Sequence, residues 1–165
     1  MVYTQAYLEQ LITCAKEVLG APRKDMVLVH GSWRNDMELQ ALEGRHRFHV
    51  FMRRNDDFTD EFSIGLEFLP ADGTPRFALM RCNGPHGHVA GVADHPHYDF
   101  RIHKADAFLL ESGESPLRKQ EHTEAYGSYE QALRYFLTTV NIQLWERYFP
   151  RLARQLGLFE TREEM

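Results

Sequence analysis

Phe62-Ser63-Ile64-Gly65-Leu66-Glu67-Phe68 carries the pattern from which the fold is read. Large apolar side chains alternate with small or polar ones, and a strand points successive side chains to opposite faces. This segment is therefore expected to be a strand with one buried face and one open face. Pro70, Asp72 and Gly73 form a turn, which hands over to a partner strand from Arg76 to Cys82. Upstream, Met37, Leu39 and Ala41 alternate with polar residues, Glu43-Gly44 turns the chain, and Phe48, Val50 and Met52 alternate on the return. Downstream, Tyr98, Phe100 and Ile102 mark a further strand.

Helices flank this meander. Thr4 caps a helix expected from Thr4 to Leu19, with Tyr7, Leu8, Leu11, Ala15, Val18 and Leu19 at helical spacing, and Gly20 and Pro22 stop it. Gly113 to Thr123 reads as a polar loop. Ser128 with Gln131 reads as a capping box ahead of a long helix carrying Leu133, Phe136, Leu137, Val140, Leu144 and Trp145. Pro150 breaks or restarts that helix, Gly157 closes a short last turn, and residues 160–165 form a frayed charged tail. The expected architecture is one α+β domain over residues 1–165. Its single antiparallel β-sheet carries the N-terminal and C-terminal helices on one face. Covering Phe62, Ile64, Leu66 and Phe68 is the condition that this fold must meet.

The chain has 165 residues and a formal net charge of −5, with 43% hydrophobic and 26% charged residues. That is the composition of a folded globular protein. The acidic balance argues against non-specific coating of nucleic acid. Charge is nevertheless uneven: Arg23 to Arg54 holds seven Lys/Arg against four Asp/Glu, whereas Asn55 to Asp72 holds six acids and no base. A basic surface on an acidic protein is thus permitted. Apolar runs are too short to span a bilayer, and the first residues lack a signal-peptide pattern. Cys14 and Cys82 lie on unlike elements, so a disulfide framework is not expected and a reducing, cytoplasmic setting is.

Chemistry concentrates between Asn83 and His103. Five of the nine histidines (His86, His88, His95, His97 and His103) fall here, beside Asp94, Asp99 and Arg101. With Tyr98, Phe100 and Ile102 facing the core, His97, Asp99, Arg101 and His103 share the opposite, solvent-reachable face. Imidazole exchanges protons near neutral pH, a carboxylate orients it, and guanidinium grips phosphate through two donors. That set suits acid–base cleavage of a phosphodiester, with His86, His97 and His103 as acid–base candidates and Asp99 as their orienting carboxylate. Arg81, Asn83 and Arg101 are candidate substrate contacts. Arg45 and Arg47 join them from a strand face that also presents His49 and Arg53.

Two other readings stay open. His86-Gly87-His88 and His95-Pro96-His97 are paired histidines whose spacing suits zinc or another divalent metal. The same polar face also suits a non-catalytic interaction module. His30-Gly31-Ser32-Trp33 matches neither a nucleophile elbow nor a phosphate loop, and Trp33 is expected as a core or turn anchor.

Asp72-Gly73, Arg81-Cys82-Asn83-Gly84-Pro85-His86 and His95-Pro96-His97-Tyr98 resemble the TumE-type toxins of bacterial toxin–antitoxin modules and their relatives. Those α+β proteins carry an Arg-x-Asp-Asn-Ala-Pro-His-His segment at a strand end and a later Pro-His-His-x-His cluster. Arg81, Asn83, Pro85 and His86 match the first motif, and Pro96, His97 and His103 meet the second loosely. Cys82 stands where the family has an acid, and Gly87 where it has a second histidine. The resemblance implies a toxin-like intracellular protein that cleaves or binds RNA, with a cognate antitoxin as partner. The chain's own residues lead to an expectation of no cofactor and no membrane association, with room for a homo-oligomer.

Overall fold

The computed structural model describes residues 2–85 and 99–155. Its centre is the expected meander, an eight-stranded antiparallel sheet. The strands are β1 (Lys16–Gly20), β2 (Val27–Val29), β3 (Ser32–Ala41), β4 (Arg47–Asn55), β5 (Phe62–Leu69), β6 (Phe77–Asn83), β7 (Arg101–Lys104) and β8 (Gln120–His122). From β3 to β8 each strand pairs with the next in sequence, while β1 and β2 both line the free side of β3. Helices α1 (Gln5–Thr13) and α3 (Tyr129–Thr139) and the short α2 (Ala107–Glu111) complete the described elements, with a 3₁₀ turn at Trp145–Arg147.

Phe62, Ile64, Leu66 and Phe68 are at most 4% exposed, so the condition on the fold is met. Each contributes about 1.5–3 kcal/mol by leaving water. They join Met37, Leu39, Phe48, Val50 and Met52 in one cluster with Leu8, Leu11 and Ile12 of α1 and Leu133, Phe136 and Leu137 of α3. Both helices therefore cover the same face. Among the described residues the other face of β3 to β7 carries no long helix, and the candidate site lies on it.

The N-terminal helix is shorter than its periodicity suggests. Thr4 caps it, accepting from the Tyr7 N–H, but it ends at Thr13, and residues 16–20 form β1 instead. Ala15, Val18 and Leu19 extend the helical spacing on paper, yet a run this short also fits a strand. Pairing with β3 then decides the outcome. The C-terminal helix is likewise cut short. Asn141 and Leu144 adopt left-handed backbone, and the chain beyond Val140 is drawn against β1 through Lys16 N–H to Asn141 O and Gln143 N–H to Lys16 O. Ser128 does cap α3, accepting from Gln131 N–H, while Gln131 Oε1 accepts from Gly127 N–H rather than from Ser128. The region read as a polar loop contains β8, whose three residues are all exposed and so show no alternation. His30-Gly31 is a two-residue hairpin turn with positive φ at both positions, as the twist of paired strands favours. Trp33 anchors that end, its indole N–H donating to Asp56 Oδ1 at 2.9 Å.

Among the described residues no helix is long and apolar enough to cross a membrane.

Candidate functional site

Register assembles the outer face. One row runs across the sheet from Asp36 through Phe51, Gly65, Arg81 and His103 to Gln120, each paired with the next. The neighbouring row brings Ser63, Asn83, Arg101 and His122 together. Arg81 and Asn83 on β6 thus face His103 and Arg101 on β7 in a square, with the two arginines on one diagonal.

The other diagonal is a hydrogen bond. Ser63 Oγ donates to Asn83 Oδ1 (2.8 Å), Asn83 Nδ2 lies 3.2 Å from His103 Nε2, and His103 Nδ1 lies 2.8 Å from the Leu117 carbonyl. A carbonyl only accepts, so Nδ1 carries a proton. Asn83 spends its oxygen on Ser63, so its amide N–H donates to Nε2. From the core side the Tyr126 hydroxyl reaches both Asn83 O (3.1 Å) and Arg101 O (2.8 Å), pinning the two strands beneath the square.

The arginines are treated differently. Arg81 Nε and Arg101 Nε are both buried without a hydrogen-bond partner, which is costly for so polar an atom. Arg81 forms no ion pair among the described residues, and burial holds its guanidinium below the usual arginine pKa. Arg101 has only a loose contact with Asp99 (3.9 Å), which Asp99 shares with His122 (3.7 Å). Toward β3 some charges on this face are already matched. His49 sits between Glu67 (2.8 Å) and Asp36 (3.0 Å), and Arg53 pairs with Asp36 at 2.9 Å.

Several expectations need correcting against this geometry. His103 shares a face with Arg101, as the alternation of Phe100 and Ile102 implied, but it is only 6% exposed. It is not a solvent-reachable acid or base: the segment around Leu117 covers it and both ring nitrogens are engaged. Asp99 precedes β7 in a bend and reaches Arg101 and His122, not His103, in its ion pairs. Arg45 lies exposed in the β3–β4 turn, outside the strand face on which it was expected. Arg47 is on the outer face, but it pairs with Leu69, four residues along β5 from Gly65, so it lies about 13 Å along the strands and two strands across from Arg81. His86, His88, His95 and His97 lie outside the described residues. Among those described, no group of three or more His, Cys, Asp or Glu could hold a metal. Cys82 is no nucleophile: it faces the core, and burial pushes its thiol pKa up to about 12.

Sequence reasoning missed Ser63, Phe51 and His122 as members of this face. Alternation within β5 does assign Ser63 and Gly65 to the open side, but only cross-strand register sets them beside Asn83 and Arg81.

His103→Ala should destabilise the protein by about 2–4 kcal/mol, because it leaves a buried amide N–H and a carbonyl unpaired and opens a cavity. Denaturant unfolding would check this, and a loss under about 0.5 kcal/mol would mean that the ring is exposed in solution.

No family model, curated protein or solved structure matches this chain.

Proposed function

We propose that this protein is a toxin-like RNA-binding protein that holds the phosphodiester backbone on its helix-free sheet face, with Arg81 and Arg101 as the anchors. The observation that carries the reading is the pair of buried Nε donors without acceptors, on either side of the Asn83–His103 bond. A phosphate oxygen over the square supplies acceptors to both forks, and guanidinium binds phosphate through two parallel donors. Ser63, Asn83 and His103 brace the floor and keep the arginines apart. The match of Arg81 and Asn83 to the toxin motif falls on this same square. The proposal is one of binding: cleavage through His103 is no part of it, since that ring is buried and both its nitrogens are hydrogen-bonded.

The local character of the site agrees with the charge of the chain. A net charge of −5 disfavours broad adsorption, so binding should depend on few contacts and carry a shallow salt slope. Anisotropy titration of a short labelled single-stranded RNA, from about 50 to 200 mM salt, tests this. A slope near −0.7 per phosphate contact, corresponding to two or a few contacts, is expected. Absence of binding at the lowest salt would overturn the reading.

A further inference from the structure

Phe51 is out of place for a solvent-side position. It lies on the outer face of β4, half-buried, between His49 and Arg53. Its ring reaches over Gly65, where an added Cβ would stand only 2.2 Å from the tip of the ring. Beyond Gly65, in the same row, comes Arg81. Among the described strand residues no other Phe, Tyr or Trp stands on the outer face between β4 and β7. The Arg53 guanidinium lies 5.7 Å from the ring centroid and is tethered to Asp36, so that side of the ring is occupied.

We propose that the RNA taken up on this face is single-stranded, with one base stacked on Phe51 and the adjoining phosphate held by Arg81. The inference rests on the RNA-binding reading and specifies its substrate. Phe51 and Arg81 belong to strands two apart, about 10 Å between backbones, and the Phe51 ring lies over the bare backbone of Gly65 between them. A base lying on the outer side of that ring carries its phosphate toward Arg81, whose Nε has no acceptor among the described residues. Any larger residue at position 65 would displace the ring. Bases inside an A-form duplex are stacked on one another, so an isolated ring on an open sheet selects unpaired ones.

A purely structural role for Phe51, shielding the backbone at Gly65, makes a different forecast, and the experiment separates the two. The intact protein carrying Phe51→Leu, Phe51→Tyr or Arg81→Gln is titrated with oligouridylate, with an RNA hairpin lacking unpaired ends, and with inorganic polyphosphate. Phe51→Leu should weaken oligouridylate binding about 10-fold, the scale of one lost base–aromatic stack. Phe51→Tyr should restore it, and Phe51→Leu should bind polyphosphate as the unsubstituted protein does. Arg81→Gln should weaken oligouridylate and polyphosphate alike. Unchanged oligouridylate binding by Phe51→Leu, alongside weakened binding by Arg81→Gln, overturns the stacking site and leaves the RNA reading standing. Equal losses for oligouridylate and polyphosphate in Phe51→Leu overturn it as well, because the ring is then only a support. No oligouridylate binding by the unsubstituted protein removes both readings together.

Discussion

Replacing Arg81 and Arg101 together by glutamine should reduce RNA affinity by about 100-fold to 10⁴-fold at low salt. Each charge-assisted hydrogen bond to phosphate is worth about 1.5–3 kcal/mol, and two anchors are lost. The loss should shrink as salt rises, because the variant releases fewer counterions; its salt slope should be shallower by about 1.4. Folding should survive, since neither guanidinium Nε has a protein partner to lose and the loose Asp99 contact of Arg101 spans 3.9 Å. Arg81→Lys with Arg101→Lys serves as the companion variant. It keeps both charges but not the planar fork, so an intermediate affinity with an unchanged slope is expected. Full affinity in the glutamine variant, with its fold intact by circular dichroism, would place the RNA contacts elsewhere.

The second large effect concerns Lys16, a residue with no part in the proposed site. Its side chain is completely buried, yet no carboxylate meets it among the described residues. The ammonium donates instead to the carbonyls of Ile12 (2.7 Å), Cys14 (2.8 Å) and Val140 (2.8 Å) and lies 4.9 Å from the Phe48 ring centroid. It thereby ties the end of α1, the start of β1 and the end of α3 into one knot. Burial lowers its pKa to about 8 from an ordinary 10.5, with the contact to Cys14 opposing the shift. Keeping the ammonium charged there costs roughly 3 kcal/mol. Lys16→Met removes that cost but strands three carbonyls at about 1–3 kcal/mol each, so a net loss of about 2–4 kcal/mol at pH 7 is expected.

The pH dependence has a definite sign. Below pH 8 the lysine is protonated in both the folded and the unfolded chain, and its contribution is flat. Between 8 and 10.5 the unfolded chain holds a proton that the folded one has released, so the wild type gains stability from this group as pH rises. Lys16→Met lacks that gain. The stability gap between the two proteins should therefore widen from pH 8 to 10.5, by up to about 3 kcal/mol. Tyr126 and Tyr129, whose hydroxyl pKa values burial raises, weaken both proteins alike as pH climbs, so the difference isolates Lys16. A gap that stays constant or narrows would show that the amine is not held as the structure has it.

Much of the sheet could be read from the chain because a period of two is a local property. Phe62, Ile64, Leu66 and Phe68, or Phe48, Val50 and Met52, announce their common face without reference to any other segment, and all are buried. Where local signals overlap, the reading fails. Ala15 to Gly20 fits helix and strand alike, and only the hydrogen bonds offered by β3 decide between them. The polar Gln120–His122 has no pattern at all, and pairing with β7 alone makes it a strand. The site divides in the same way. Arg81, Asn83, Arg101 and His103 were singled out from sequence and do form one square, because strand alternation put each pair on a common face. Phe51, Ser63 and His122 were not, since their membership depends on register with partners 14, 20 and 21 positions away in the chain.

By itself, then, the sequence determined which side chains face the core along each strand, where Thr4 and Ser128 begin helices, and where hairpins turn. These depend on backbone geometry within a few residues. Tertiary structure alone decided the condition of each polar group on the open face. It buried His103 beneath the Leu117 carbonyl, matched His49 and Arg53 with Asp36 and Glu67, and left the Nε atoms of Arg81 and Arg101 without acceptors. It also made Lys16 a buried clasp between α1, β1 and α3. The physical reason is that solvation and hydrogen-bond partners come from segments distant in the chain. Two histidines or two arginines with the same local pattern can thus end in opposite states, and only the packed fold distinguishes the group that is satisfied from the group still open to a ligand.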